Sequence, residues 1–159
     1  MASRNPPTIY AAGDKATSGT LVYNLTDAEK TQQLGDDPAN PRTAKDRFYL
    51  IRVSISNSGS DEQPIPAMTL VDDTGQAYTE SSDGTGVANW LGVVRKVNPA
   101  QTESGYVLFD VPVKHYRLRL NDQFDEKEIA IDLPIGFIRD STKTLQVNTP
   151  DTAPEFKKK

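Results

Sequence analysis

Residues 48–57 read FYLIRVSISN, with Tyr49, Ile51, Val53 and Ile55 at one parity and Phe48, Leu50, Arg52, Ser54 and Ser56 at the other. Side chains alternate across a strand, so this spacing predicts a strand with an apolar inner face and an outer face that turns polar along its length. Residues 57–61, NSGSD, then end it with turn formers.

The same period runs outward in both directions. Leu21, Tyr23 and Leu25 alternate with Thr20, Val22 and Asn24; Met68 and Leu70 lead into the turn Asp72-Asp73-Thr74-Gly75, and residues 76–79 return. Leu91, Val93 and Val97 form a further alternating run that ends at Asn98-Pro99. Val107, Phe109 and Val111 follow, then Tyr116, Leu118 and Leu120 against Arg117 and Arg119, and finally Ile129, Ile131 and Leu133 before Pro134. Helical spacing is weak everywhere. The best candidates are residues 27–34, with Thr26 as a cap, and a short turn at 87–91. Short strands separated by turn signals predict an all-β, immunoglobulin-like antiparallel β-sandwich of about seven or eight strands. Residues 31–46 and 80–88 are expected to be long connections. Residues 9–140 form one expected domain; 1–8 read as a tail or cloning residues, and 141–159 as a second tail, with Glu155-Phe156 resembling a restriction-site scar.

Composition removes several classes of function. There is no Cys, hence no disulfide framework, thiolate zinc site, iron–sulfur cluster or Cys nucleophile. One His cannot make a two-His metal site. Net charge is −4, and without the terminal Lys157, Lys158 and Lys159 the remaining 15 basic and 22 acidic residues give −7. An acidic body argues against nucleic acid as partner. No apolar run is long enough to span a bilayer, and no cofactor is expected.

Four stretches together resemble a known family. Residues 48–57 match its strand ending in Asn, and residues 68–78, MTLVDDTGQAY, its Asp-containing hairpin. Residues 97–112, VNPAQTESGYVLFDVP, resemble its Pro-Gly turn and Phe-Asp-Val-Pro strand end, with Ala100 where the pattern has Gly; residues 11–25 resemble its opening strands. The chain thus resembles the bacterial immunoglobulin-like domain of unknown function 4352, related in fold to secreted MPT63-type proteins. The resemblance implies an immunoglobulin-like fold and a place outside the cytoplasm, often behind a lipid-anchored Cys upstream. It implies no catalytic residues. With no catalytic constellation, a binding module with an unknown protein or envelope component as partner is expected.

Individual candidates have competing readings. Asp72, Asp73 and Asp83 offer hard oxygens for a weak calcium loop, but the Asp-x-Asp-x-Asp-Gly spacing is absent and turn chemistry explains them as well. His115 has no nucleophile motif beside it and reads as a solvated strand-edge residue. Trp90 is expected either to plug one end of the sandwich or, with Tyr78, to serve as an aromatic anchor for a sugar or small ligand. Arg117 and Arg119 form a small basic stripe that recognises an anionic group or pairs with neighbouring carboxylates. A binding module is expected to work through its loops, here 31–46 and 80–90.

Overall fold

The computed structural model describes residues 6–35, 39–122, 125 and 127–141. Twelve strands are assigned among them: β1 (Thr8–Tyr10), β2 (Lys15–Ser18), β3 (Leu21–Leu34), β4 (Arg42–Asn57), β5 (Gln63–Pro64), β6 (Thr69–Asp72), β7 (Ala77–Thr79), β8 (Lys96–Val97), β9 (Thr102–Asp110), β10 (Tyr116–Arg119), β11 (Ile129–Leu133) and β12 (Arg139–Asp140). One short 3₁₀ turn, Ile135–Phe137, precedes the last.

They form an all-β sandwich, as the alternation predicts. One sheet runs β1-β11-β10-β6-β7 and the other β12-β3-β4-β9, with β2 added to β3; β5 and β8 make a small third pair. Most pairs are antiparallel, while β1 joins β11 and β12 joins β3 in parallel at the margins. The inner parity of β4, Tyr49, Ile51, Val53 and Ile55, is wholly buried between the sheets with Leu70, Leu118 and Ile131 opposite. Tyr49 and Tyr116 meet edge-on across the core, centroids 5.6 Å apart.

The outer parity of β4 explains its change of character. Phe48 and Leu50 join Leu34, Ala44 and Leu108 in a second apolar cluster outside the β3-β4-β9 sheet. Further along, Ser54 bonds Ser104 and Ser56 bonds Thr102, each at 2.8 Å, on an exposed polar face.

Three local expectations are corrected. Residues 27–34 are the second half of β3, not a helix. One extra β3 residue, Thr26, sits between Leu25 and Asp27, and past Thr31 the register on β4 jumps from Phe48 to Thr43. Leu25 and Ala28 are buried in the central core, while Thr31 pairs with Phe48 and Leu34 joins the outer cluster, so buried residues of both faces fall three apart and imitate a helical stripe. Pairing along β4 overrides the local helix preference. The predicted 31–46 connection shrinks to 35–41, because both of its ends are strand. The 91–97 run is also not one strand: only Lys96–Val97 pairs, Val94 stands 97% exposed, and positive φ at Gly92 breaks the alternation.

The family-like motifs prove to be fasteners of turns. The Asn57 side chain donates to the carbonyls of Asp61 and Val97 and accepts from Gly59 N–H. Asp110 accepts the N–H groups of Lys45 and Asp46 at 2.8 and 2.9 Å. Ala100 has φ +63 after Pro99, and Gln101 N–H reaches Asn98 O, the geometry of a type II turn in which Gly is favoured.

Candidate functional site

The connection from β7 to β8 is long, without regular strand pairing through residues 80–95, and pinned along its course. Ser81 N–H bonds Leu108 O at 2.7 Å, while Tyr106 exchanges backbone bonds with Asn89 O and Leu91 N–H. These contacts occupy the outer edge of β9, which would otherwise offer backbone groups to another chain. Arg42 lies over the Phe48 ring and donates to the carbonyls of Asp83 and Thr85 at 2.8 and 2.9 Å. The loop thereby roofs the outer apolar cluster.

Both ends of the loop meet in one buried ion pair. The Arg95 guanidinium forks onto Glu80, with Nη1 to Oε1 at 2.8 Å and Nη2 to Oε2 at 2.5 Å. Their side chains are 4% and 1% exposed. Arg95 also donates to the carbonyls of Gly92 and Pro66, and Met68 N–H donates to Glu80. Charges removed from water persist where fork geometry and added hydrogen bonds satisfy them. The bend directly before Arg95 is different: Val93 and Val94 are 48% and 97% exposed. Beside them opens a cleft of about 580 Å³, walled by Pro64, Leu91 and Val94 and by Glu62, Lys96 and Glu103.

Trp90 is half-buried and bridges to Tyr106. Its ring lies on Gly84, where a Cβ would overlap the indole. It belongs to the roof of the loop rather than the central core. Tyr78 lies on β7 of the opposite sheet, edge-on to Tyr116 and beneath Lys114. The two aromatics therefore do not form one platform.

Arg117 and Arg119 share the outer face of the β10 sheet. Arg117 forks onto Glu128, and Arg119 donates to Asn121 and to the carbonyls of Asp122 and Asp125. Thr69, Val71 and Ala77 floor a 310 Å³ cleft beside them. The stripe is thus paired within the protein.

The three aspartates fall in separate settings. Oδ1 of Asp72 accepts from Thr74 N–H, Thr74 Oγ1 and Gln76 N–H, and Oδ2 holds Lys114 at 3.0 Å. These donors, Thr74 foremost, hold its carboxyl well below the usual range. Asp73 faces His115, and Asp83 caps Thr85 near Arg42 on the far loop. The structure does not bring the three expected calcium ligands together: their oxygens close turns and ion pairs, and among the described residues no group of three His, Cys, Asp or Glu is placed to hold a metal ion. His115 is not simply solvated: at 38% side-chain exposure, its two nitrogens lie 2.7 Å from Asp73 and Asp132.

Residues 10–129 match the model of the family described as Domain of unknown function (DUF4352). The chain belongs to the DUF4352 family. No curated protein matches it. The Bacillus subtilis yjhA protein is similar in structure at 17% identity, with 79% of this chain and 99% of that chain covered and a TM-score of 0.58. The B. subtilis candidate lipoprotein ycdA is similar at 17% identity over 79% of this chain and 39% of its own, TM-score 0.55. The secreted protein MPT63 of Mycobacterium tuberculosis is similar at 12% identity over 80% and 98%, TM-score 0.54. These likenesses show a shared β-sandwich. No helix among the described residues is long and apolar enough to cross a membrane.

What this DUF4352 chain adds to the expected loop site is its anchoring. Trp90 marks the loop in the sequence, whereas Glu80, Gly84, Arg95 and the Val93-Val94 bend do not stand out. The signal available was Arg95 closing the otherwise apolar LGVV stretch.

Proposed function

We propose that this protein is a non-enzymatic binding module outside the cytoplasm, at the bacterial cell envelope, and that it engages a protein partner through the Val93-Val94 bend of the 80–95 loop. The carrying observation is the contrast within that loop: two exposed valines stand in the bend directly before Arg95, which a buried, forked ion pair locks in place. A loop fixed before binding loses little conformational freedom on binding, and exposed apolar side chains beside a cleft suit a protein surface. The envelope location rests on family membership and on relatives described as a candidate lipoprotein and a secreted protein. The contacts of His115 support the non-enzymatic reading: a carboxylate lies at each ring nitrogen, so neither faces a hydroxyl nucleophile.

Capture from envelope extracts tests this reading. The V93S/V94S variant is expected to lose the captured protein, whereas I135S, which alters an exposed apolar residue elsewhere, retains it. Undiminished capture by V93S/V94S would remove this bend from the function.

A further inference from the structure

His115, the one histidine of the chain, sits immediately before β10 and joins two other elements. Its Nδ1 is 2.7 Å from Asp73 Oδ1 in the β6–β7 turn, and its Nε2 is 2.7 Å from Asp132 Oδ1 on β11. A neutral imidazole has one N–H and one lone pair, so it can donate to only one of these carboxylates; the other contact then sets lone pair against carboxylate. The imidazolium satisfies both.

Neighbouring charges are engaged elsewhere. From the segment before β10, Lys114 holds Asp72 at 3.0 Å and the Tyr78 hydroxyl of β7 at 3.2 Å. Arg117 on β10 stands opposite Asp132 in register but forks onto Glu128. Among the described residues, His115 is the side chain that supplies donors to both Asp73 and Asp132.

We propose that His115 is a proton-operated fastener: with two N–H donors it ties the β6–β7 turn to β11, and on losing one it releases the turn. β7 is the edge of its sheet, so the fastener governs how firmly an edge hairpin is held. The two carboxylates, Asp73 first, raise the His115 pKa above its ordinary 6.5. A raised folded-state value means that the fastening is fully present below pH 6.5 and is lost as pH rises through the folded value. The Lys114–Asp72 pair stays closed through that interval, because the lysine is shifted up by Asp72 and the aspartate is shifted down. Release therefore loosens the turn without unfolding the sandwich.

Proton NMR of the single His ring reads the event directly, with protection factors of the amides of residues 73–79 measured across the same pH range. The expected midpoint lies above 6.5, D73N and D132N each move it back toward 6.5, and hairpin protection falls several-fold through it in the natural protein but not in H115Q. A midpoint at or below 6.5, a midpoint that neither aspartate variant moves, or hairpin protection indifferent to His115 would each overturn the proposal. Both aspartate variants keep a side-chain oxygen acceptor, so the ring titration remains readable if H115Q folds poorly.

Discussion

Glu80 and Arg95 bracket a loop and meet inside the protein, their charged atoms 2.8 and 2.5 Å apart and almost wholly shielded from water. The pair joins the end of the β6–β7 hairpin to the start of β8. It turns an irregular connection into a fixed platform for Val93 and Val94.

Removing one charge of that pair leaves the other buried without its counterion. E80Q is expected to destabilise the protein by about 3 kcal/mol, seen as a melting temperature lower by roughly 6–12 °C. E80L/R95M, which removes both charges, is expected to recover much of the loss in a thermal melt. It should still expose the loop to faster proteolysis, because the carbonyls of Gly92 and Pro66 lose their donor. Equal stability of E80Q and the natural protein would show that the pair does not hold the loop.

Gly84 exists as glycine because the Trp90 ring occupies the place of its Cβ. G84A is expected to cost ~1–3 kcal/mol through overpacking and to displace the indole. Trp90 is the only tryptophan, so fluorescence reports on it alone. Red-shifted emission and stronger acrylamide quenching are predicted; an unchanged spectrum would mean that the ring does not rest there.

Ala100 holds φ +63, a conformation that costs an L-residue and suits glycine. A100G is expected to stabilise the protein by about 0.5–1 kcal/mol, the relief of backbone strain exceeding the added freedom of the unfolded chain. Chemical denaturation measures this as a raised midpoint with unchanged slope. A lowered midpoint would contradict the turn assignment.

Asp72 sets the acid limit of the β6–β7 turn. Its folded-state pKa is depressed, so its stabilisation is present above the unfolded value of 3.8 and is lost as pH falls through the lower folded value. The D72N variant is expected to melt earlier than the natural protein at neutral pH, with the difference narrowing in strong acid. A gap independent of pH would separate the turn from the charge of Asp72.

Legibility in the sequence followed regularity. Residues 48–57 announce both faces of β4, and the stretches around Asn57, Asp72 and Asp110 announce the turns they fasten, because alternation and turn chemistry are local. The upper half of β3 is obscured because a bulge at Thr26 and burial on both of its faces space buried residues at threes. The site was legible only as a loop with a tryptophan. Glu80 and Arg95 lie far apart in sequence, and nothing local marks a surface-type charge as buried. His115 was equally opaque, since its partners Asp73 and Asp132 come from two other elements.

Recognition of a partner is assigned to the Val93-Val94 bend. Its most direct measurement places a photoreactive amino acid at position 94 in cells, with position 135 as an exposed apolar control. One discrete crosslinked protein is expected from position 94 and none from 135. No product from 94, or the same product from both, would contradict it.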